Sequence, residues 1–292
     1  MLTTPESIRT LQRKLYRKAK QEPACRFHAL YDKVYRADIL SYAYDLVRAN
    51  KGSAGIDGVN FADIEAKEGA AVFVAELAEA LRSKRYKPDP VKRVMIPKQD
   101  DSKRPLGIPT IRDRVAQMAV KLVIEPIFEA DFCDNSYGFR PKRSAHDAID
   151  DVAHSLHQGY SEVIDADISK YFDTIPHAKL MTMVAERICD GALLQLIQMW
   201  LKAPVMEVDK DGAKRNIGGG KGTVKGRRKA ESSPRCCPIC FCTFWTGSGK
   251  SGGCSSASAH GWSVMRTTSW CSAARAASSR RRYCSRSFCG WG

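Results

Sequence analysis

Two aspartates, Asp165 and Asp167, end a short β-branched segment that begins at Glu162, and Tyr171-Phe172-Asp173 follows closely. Successive side chains of an extended segment alternate, so Asp165 and Asp167 fall on one face and Ile164 and Ala166 on the other. Carboxylate oxygens on one face suit a hard divalent cation, and such a cation suits phosphoryl transfer, whose developing charge needs neutralising. Aspartates at strand ends also cap turns and helices, so the pair by itself leaves both readings open. Lys98 and Arg104 flank the polar turn Gln99-Asp100-Asp101-Ser102. Cations on two arms of one hairpin would suit a triphosphate, or simply solvent.

These residues need elements to hold them. Val91 to Ile96 and Arg104 to Pro109 read as the two arms of that hairpin, and Glu162 to Asp167 as a strand. Val205 to Val208 and Ala213 to Ile217, around Asp209-Lys210-Asp211-Gly212, make a second hairpin. Helices are predicted at the N-terminus, where Thr4 is a candidate cap and Pro5 suits the first helical position, then at 37–49, 70–83, 112–130, from Ser144 towards Gln158, and at 177–187 and 191–202. The first helix is amphipathic: Ile8, Leu11 and Leu15 share a face against Arg9, Arg13, Lys14, Arg17 and Lys18. That basic face fits phosphate or solvent equally. Strands mixed with helices in no regular βαβ order indicate an α+β fold with an antiparallel sheet.

Five blocks occur in a telling order: Ile96-Pro97-Lys98; Lys103 to Arg114 (KRPLGIPTIRDR); Gln117 to Glu129; Tyr137 to Ser144 (YGFRPKRS); and Asp165 to Ile175 (DADISKYFDTI). Together they closely resemble the bacterial group II intron reverse transcriptases, or maturases, over about residues 30–225. The resemblance implies a right-hand polymerase, with a basic N-terminal helix over 1–29, an N-terminal extension and fingers over 30–160, and a partial palm over 161–225. It implies that Asp167 is the first metal-binding aspartate of a site for two Mg²⁺ ions, and that Phe172 is the bulky residue set against a ribose 2′-hydroxyl. Lys98 and Arg104 would grip the incoming nucleotide and Arg140 the template. Asp165 has no family role. The implied partners are an intron RNA template, a DNA primer and deoxynucleoside triphosphates.

Composition sets bounds around that reading. The 292 residues are 43% hydrophobic and 27% charged, which suits a globular chain and excludes collagen, coiled coil and wholly disordered classes. No run of about 18 apolar residues occurs, and Met1 to Glu6 lacks the apolar stretch of a secretory signal, so a cytoplasmic chain with no membrane partner is expected. The net charge of +15 points to an anionic partner such as nucleic acid. Much of that charge lies beyond residue 225, where eleven Lys and Arg face the single acid Glu231.

The same tract holds eight of the eleven cysteines and no Leu, Asp, Asn or Gln, a composition hard to reconcile with a core. A tail over 226–292 that is disordered and aberrant is therefore expected. The family continues after this point with Thr-Pro-Gln-Gly-Gly-Val-Ile-Ser-Pro and later Tyr-Ala-Asp-Asp, and the chain has neither. Codons for Arg227 to Pro234 can be chosen that, read one base earlier, give Pro-Gln-Gly-Gly-Val-Ile-Ser. Codons for Val264 to Trp270 likewise permit Tyr-Ala-Asp-Asp-Phe-Val. A frameshifted, catalytically incomplete copy is the expectation. An RNA-binding protein without polymerase activity, and a polymerase completed by a second polypeptide, are the alternatives. Cys237-Pro238-Ile239-Cys240 has zinc-ligand spacing, but no second well-spaced pair completes a four-ligand site.

Overall fold

The computed structural model describes residues 2–67, 69–97, 103–165, 175–208, 214–216, 265–266 and 271–275. The elements run α1 (Glu6–Gln21), α2 (Tyr31–Val34), α3 (Ala37–Ala49), α4 (Phe61–Lys67), α5 (Gly69–Arg82), β1 (Val91–Pro97), β2 (Lys103–Ile108), α6 (Ile111–Glu129), α7 (Ala145–His157) and β3 (Glu162–Asp165). They continue with α8 (His177–Arg187), α9 (Gly191–Lys202), β4 (Val205–Val208), β5 (Lys214–Asn216), β6 (Met265–Arg266) and β7 (Cys271–Arg275). This is the α+β class expected. No helix among the described residues is long and apolar enough to cross a membrane.

Helix starts follow local chemistry. Thr110 caps α6 by accepting from Asp113 N at 3.3 Å, and Ser144 and Asp147 form a reciprocal capping box on α7. At α1 the expectation needs correcting. Pro5 is the N-cap rather than the first helical residue, and the Thr4 side chain makes no cap: its hydroxyl lies 3.0 Å from Tyr42 Oη. A hydroxyl-to-hydroxyl bond to α3 takes the oxygen that the helix end would have used.

Two units make up the chain. The first comprises residues 2–132 with 175–216. Its hub is α6, on which α1 and α3 pack, and whose Val115, Ala116, Ala119, Val123 and Ile127 are wholly buried. Each larger aliphatic among them contributes roughly 2 kcal/mol by leaving water. Ile8 and Leu15 of α1, Leu40 and Val47 of α3, and Leu193 and Leu196 of α9 belong to the same core.

The short α8–α9 junction fastens the N-terminal segment to this core. Arg187, 3% exposed, donates to the carbonyls of Ala19 (2.9 Å), Cys25 (3.1 Å), Pro23 and Glu22, and its Nε lies 2.9 Å from Asp131 Oδ2. The C-terminal carbonyls of α1 thus find donors from a residue far along the chain. Three residues on, Asp190 caps α9 through Oδ1, which accepts from Ala192 N (3.1 Å) and Leu193 N (3.2 Å). Its Oδ2 accepts from Leu30 N (2.9 Å) and Tyr31 N (2.8 Å) at the start of α2.

The sheet of this unit has the order β2-β1-β4-β5. β1 and β2 form the expected antiparallel hairpin, with Arg93 opposite Gly107, Met95 opposite Pro105 and Pro97 opposite Lys103. β4 and β5 form the second hairpin, also antiparallel. The antiparallel expectation fails at one pairing: β4 lies parallel to β1, with Val91 opposite Val205. A strand that returns through α9 need not reverse direction as a tight turn would require.

The second unit comprises residues 133–165 with the two tail strands, in a small antiparallel sheet of order β3-β7-β6. Glu162 to Asp165 pair with Arg275 to Ser272, and α7 packs on β6 and β7. The tail expected to be disordered therefore contains two described strands; its other positions lie outside the described residues.

Candidate active site

The cationic block falls on and beside the β1–β2 hairpin. Arg104 stands opposite Ile96 in the ladder, and Lys98 follows Pro97 outside the described residues. What fixes the hairpin is the junction between β2 and α6. Asp113, 1% exposed, accepts from the Tyr86 hydroxyl and from Asp89 N at 3.1 Å. The Tyr86 hydroxyl in turn accepts from Trp200 Nε1 at 2.9 Å, and the Tyr86 and Trp200 rings meet edge to face at 6.4 Å. Burial pushes the Tyr86 phenol well above its ordinary value, and the adjacent Asp113 carboxylate pushes it further. It therefore stays a donor. The Arg112 guanidinium lies 5.3 Å above the same ring.

The glycine-punctuated loop after α3 closes on this junction. A Cβ at Gly55 would come within 2.7 Å of Thr110 Cα and 2.8 Å of Thr110 N, so only glycine lets the loop approach. Arg114, 1% exposed, donates to Ser53 O at 2.8 Å and holds the loop from the other side. Asp57 sits in the same neighbourhood, its carboxyl raised by burial and, more weakly, by Asp89. Thr110 to Arg114, at the end of the second resembling block, thus work largely as an anchor for the hairpin. Tyr86, Asp89 and Trp200 escaped the sequence reading because their partners lie 27 and 114 residues from Tyr86. The Gly55 loop was visible only as a turn.

In the second unit the Arg140 guanidinium donates to Cys133 O (2.7 Å) and Ser136 O (2.8 Å) and so ties up the turn before it. Nearby, the Arg143 guanidinium lies 5.2 Å over the Tyr137 ring. Burial raises the Tyr137 phenol, and its hydrogen bond to Asp151 adds to the shift. Phe139 and Lys142 adopt positive φ of 58° and 60°, a conformation that side chains seldom accept and that aims this segment. β3 carries the chain as far as Asp165; Asp167 and Phe172 lie outside the described residues. Of the five expected site residues, then, Lys98 and Arg104 are sequence neighbours of one hairpin, Arg140 is placed on its own turn, and Asp167 and Phe172 are not described.

Carboxylates are the right donor type for Mg²⁺, but no group of three His, Cys, Asp or Glu among the described residues is arranged to hold a metal. The sequence supplies Asp167 yet no acid beyond residue 226 except Glu231. The donor chemistry of the aspartates Asp165 and Asp167 fits a divalent metal.

Residues 96–230 match the family described as reverse transcriptase (RNA-dependent DNA polymerase). The chain is 40% identical over 207 residues to protein YkfC of Escherichia coli, covering 69% of this chain and 54% of that protein. It is 36% identical over 182 residues to the group II intron-encoded protein LtrA of Lactococcus lactis, covering 62% of this chain and 30% of LtrA. A solved structure titled a partial Cas6-RT-Cas1–Cas2 complex aligns over 84% of this chain and 38% of its own, at 19% identity and a TM-score of 0.41. Residues 96–230 are a reverse transcriptase domain. By these matches the chain is similar to the group II intron reverse transcriptases and maturases, and it spans about half of the first of these relatives and less of the second.

Proposed function

We propose that the chain derives from an RNA-directed DNA polymerase that binds its intron RNA and extends a DNA primer, and that in its present form it retains RNA binding without synthesis. The observation that supports this most directly is the family match across 96–230, which carries Lys98, Arg104, Arg140, Asp167 and Phe172 in one domain. In this reading the fingers and N-terminal extension occupy 30–160 and the partial palm 161–225. Lys98 and Arg104 hold the triphosphate, Arg140 acts on the template side, and Phe172 excludes a 2′-hydroxyl. Asp167 contributes one carboxylate towards Mg²⁺, whose role when bound is to activate the primer oxygen and neutralise the leaving pyrophosphate.

The RNA-binding half rests on α1. Arg13, Lys14, Arg17, Lys18 and Lys20 are exposed on a helix whose opposite face, Ile8, Leu15 and Ala19, is buried. The clamp by Arg187 holds that cationic face fixed to the core.

Primer extension and RNA binding test the reading together. The chain as written is expected to bind RNA in a salt-sensitive way and to incorporate no nucleotide. A version with one G restored before the Arg227 codon, continued in that frame, is expected to extend a primer with Mg²⁺ and to lose extension on Asp167→Ala. Extension by the chain as written, abolished by Asp167→Ala, would overturn the proposal of incompleteness.

A further inference from the structure

We propose that the β4–β5 hairpin is a contact for the phosphodiester backbone of single-stranded RNA, made by Lys214 and Arg215 and moderated by Glu207. This rests on the nucleic-acid reading of the domain and assigns it a surface on elements other than α1. The four strands of the first sheet carry Lys92, Arg93, Lys103, Arg104, Lys214 and Arg215 against Glu207 alone. The turns within the two hairpins each carry one lysine and two aspartates, so the positive surplus belongs to the strands.

Register makes the surplus directional. Arg93, Glu207 and Arg215 stand opposite one another on three neighbouring strands, and residues directly opposite share a face. Glu207 Oε1 lies 3.8 Å from Arg93 Nε, so a single carboxylate serves a row with two guanidinium groups and one positive charge remains. All three residues of β5 are exposed, and neither Lys214 nor Arg215 forms an ion pair with a described residue. On the same face as that row lie the exposed Met95 and, opposite Pro97, the exposed Lys103. From β2 to β5 is three inter-strand spacings, about 14 Å. At about 3.4 Å per stacked nucleotide that is room for roughly four.

Lysine on an edge strand can also serve only to discourage pairing with other chains. That role makes no demand on Glu207, and the RNA contact does. Binding of a fluorescent single-stranded 12-nucleotide RNA to the full chain, followed by polarisation between 50 and 200 mM KCl, separates the two. Replacing Lys214 and Arg215 together by Gln is expected to make the plot of log affinity against log salt shallower by about 1.4, at about 0.7 per lost contact. Over that salt range the native chain then loses about sevenfold more affinity than the double variant. Glu207→Gln is expected to do the opposite, binding more tightly at 50 mM with a steeper slope.

Slopes equal to that of the native chain in both variants overturn the proposal, as does a double variant that aggregates while its slope is unchanged. Loss of binding on replacing Arg13, Lys14, Arg17 and Lys18 by Gln, with the hairpin variants unaffected, leaves the RNA-binding reading standing and removes this surface from it. No RNA binding by the native chain removes both.

Discussion

Asp190→Ala is the sharpest test of how the first unit holds together, because one carboxylate there starts two helices. Oδ1 receives the N–H groups of Ala192 and Leu193 at the head of α9, and Oδ2 those of Leu30 and Tyr31 at the head of α2. Removing an N-cap carboxylate costs about 1 kcal/mol. Leaving the Leu30 and Tyr31 donors unsatisfied beside the core adds about 1–3 kcal/mol, for a total of about 2–4 kcal/mol. Against a total stability of about 5–15 kcal/mol, that is a large fraction. Asp190→Asn keeps one acceptor oxygen and turns an amide donor towards the other pair of N–H groups, so an intermediate loss is expected.

The same site predicts a pH dependence. Burial alone would raise the Asp190 carboxyl, but the four backbone N–H groups, those of Tyr31 and Leu30 first, outweigh it and hold its pKa below the ordinary value. A group depressed in the folded state contributes stability fully above its unfolded pKa and loses it as pH falls through the folded one. The native chain should therefore lose this contribution below the ordinary carboxylate pKa, and Asp190→Ala should lose less over the same range. Urea unfolding followed by circular dichroism at several pH values measures both. A variant within about 0.5 kcal/mol of the native chain at neutral pH would refute the double-cap reasoning.

Two further substitutions probe the anchors. Arg187→Met should cost about 3–5 kcal/mol in thermal or urea unfolding, because the Asp131 carboxylate, 9% exposed, loses its ion pair with Arg187 and the α1 carbonyls lose the donors that Arg187 supplies. Tyr86→Phe removes a hydroxyl that serves both Asp113 and Trp200 Nε1, and should cost about 2–4 kcal/mol, read as a lower urea midpoint with an unchanged slope.

Local signals carried most of the fold. The spacing of Val115, Met118, Ala119 and Leu122 marks α6, Ser144 with Asp147 marks the start of α7, and the paired runs around 97–103 and 208–214 mark the hairpins. Apart from α4, whose local Asn60–Asp63 cap was passed over, what failed depends on distant residues. α2 is four residues long and receives its N-terminal cap from Asp190, 159 residues beyond Tyr31. Thr4 looks like a cap until Tyr42 takes its hydroxyl. The parallel pairing of β1 with β4 has no local signature, since neither strand records which neighbour it will meet. At the candidate site the first hairpin itself was legible from its turn, whereas Tyr86, Asp89 and Trp200, which hold that hairpin to α6, were not.

The tail permits a prediction that separates the two units. Among the described residues the first unit's core cluster runs from Ile8 to Leu201, so deleting 226–292 removes none of that packing. The clamp residues Arg187 and Asp190 and their described partners also lie within that span. In the second unit the situation reverses, because Glu162 to Asp165 have Cys271–Arg275 as their ladder partner. A chain ending at residue 225 should keep native protection of the α3 and α6 amides against hydrogen exchange, since these open only with the core. The β3 amides that pair with β7 should exchange faster by the loss of their hydrogen bonds. Faster exchange throughout α6 would show that the tail contributes to the core, and the composition argument against it would then fail. Unchanged exchange in β3 would mean that the β3–β7 ladder contributes no stability in solution, and the tail could be removed without cost to either unit.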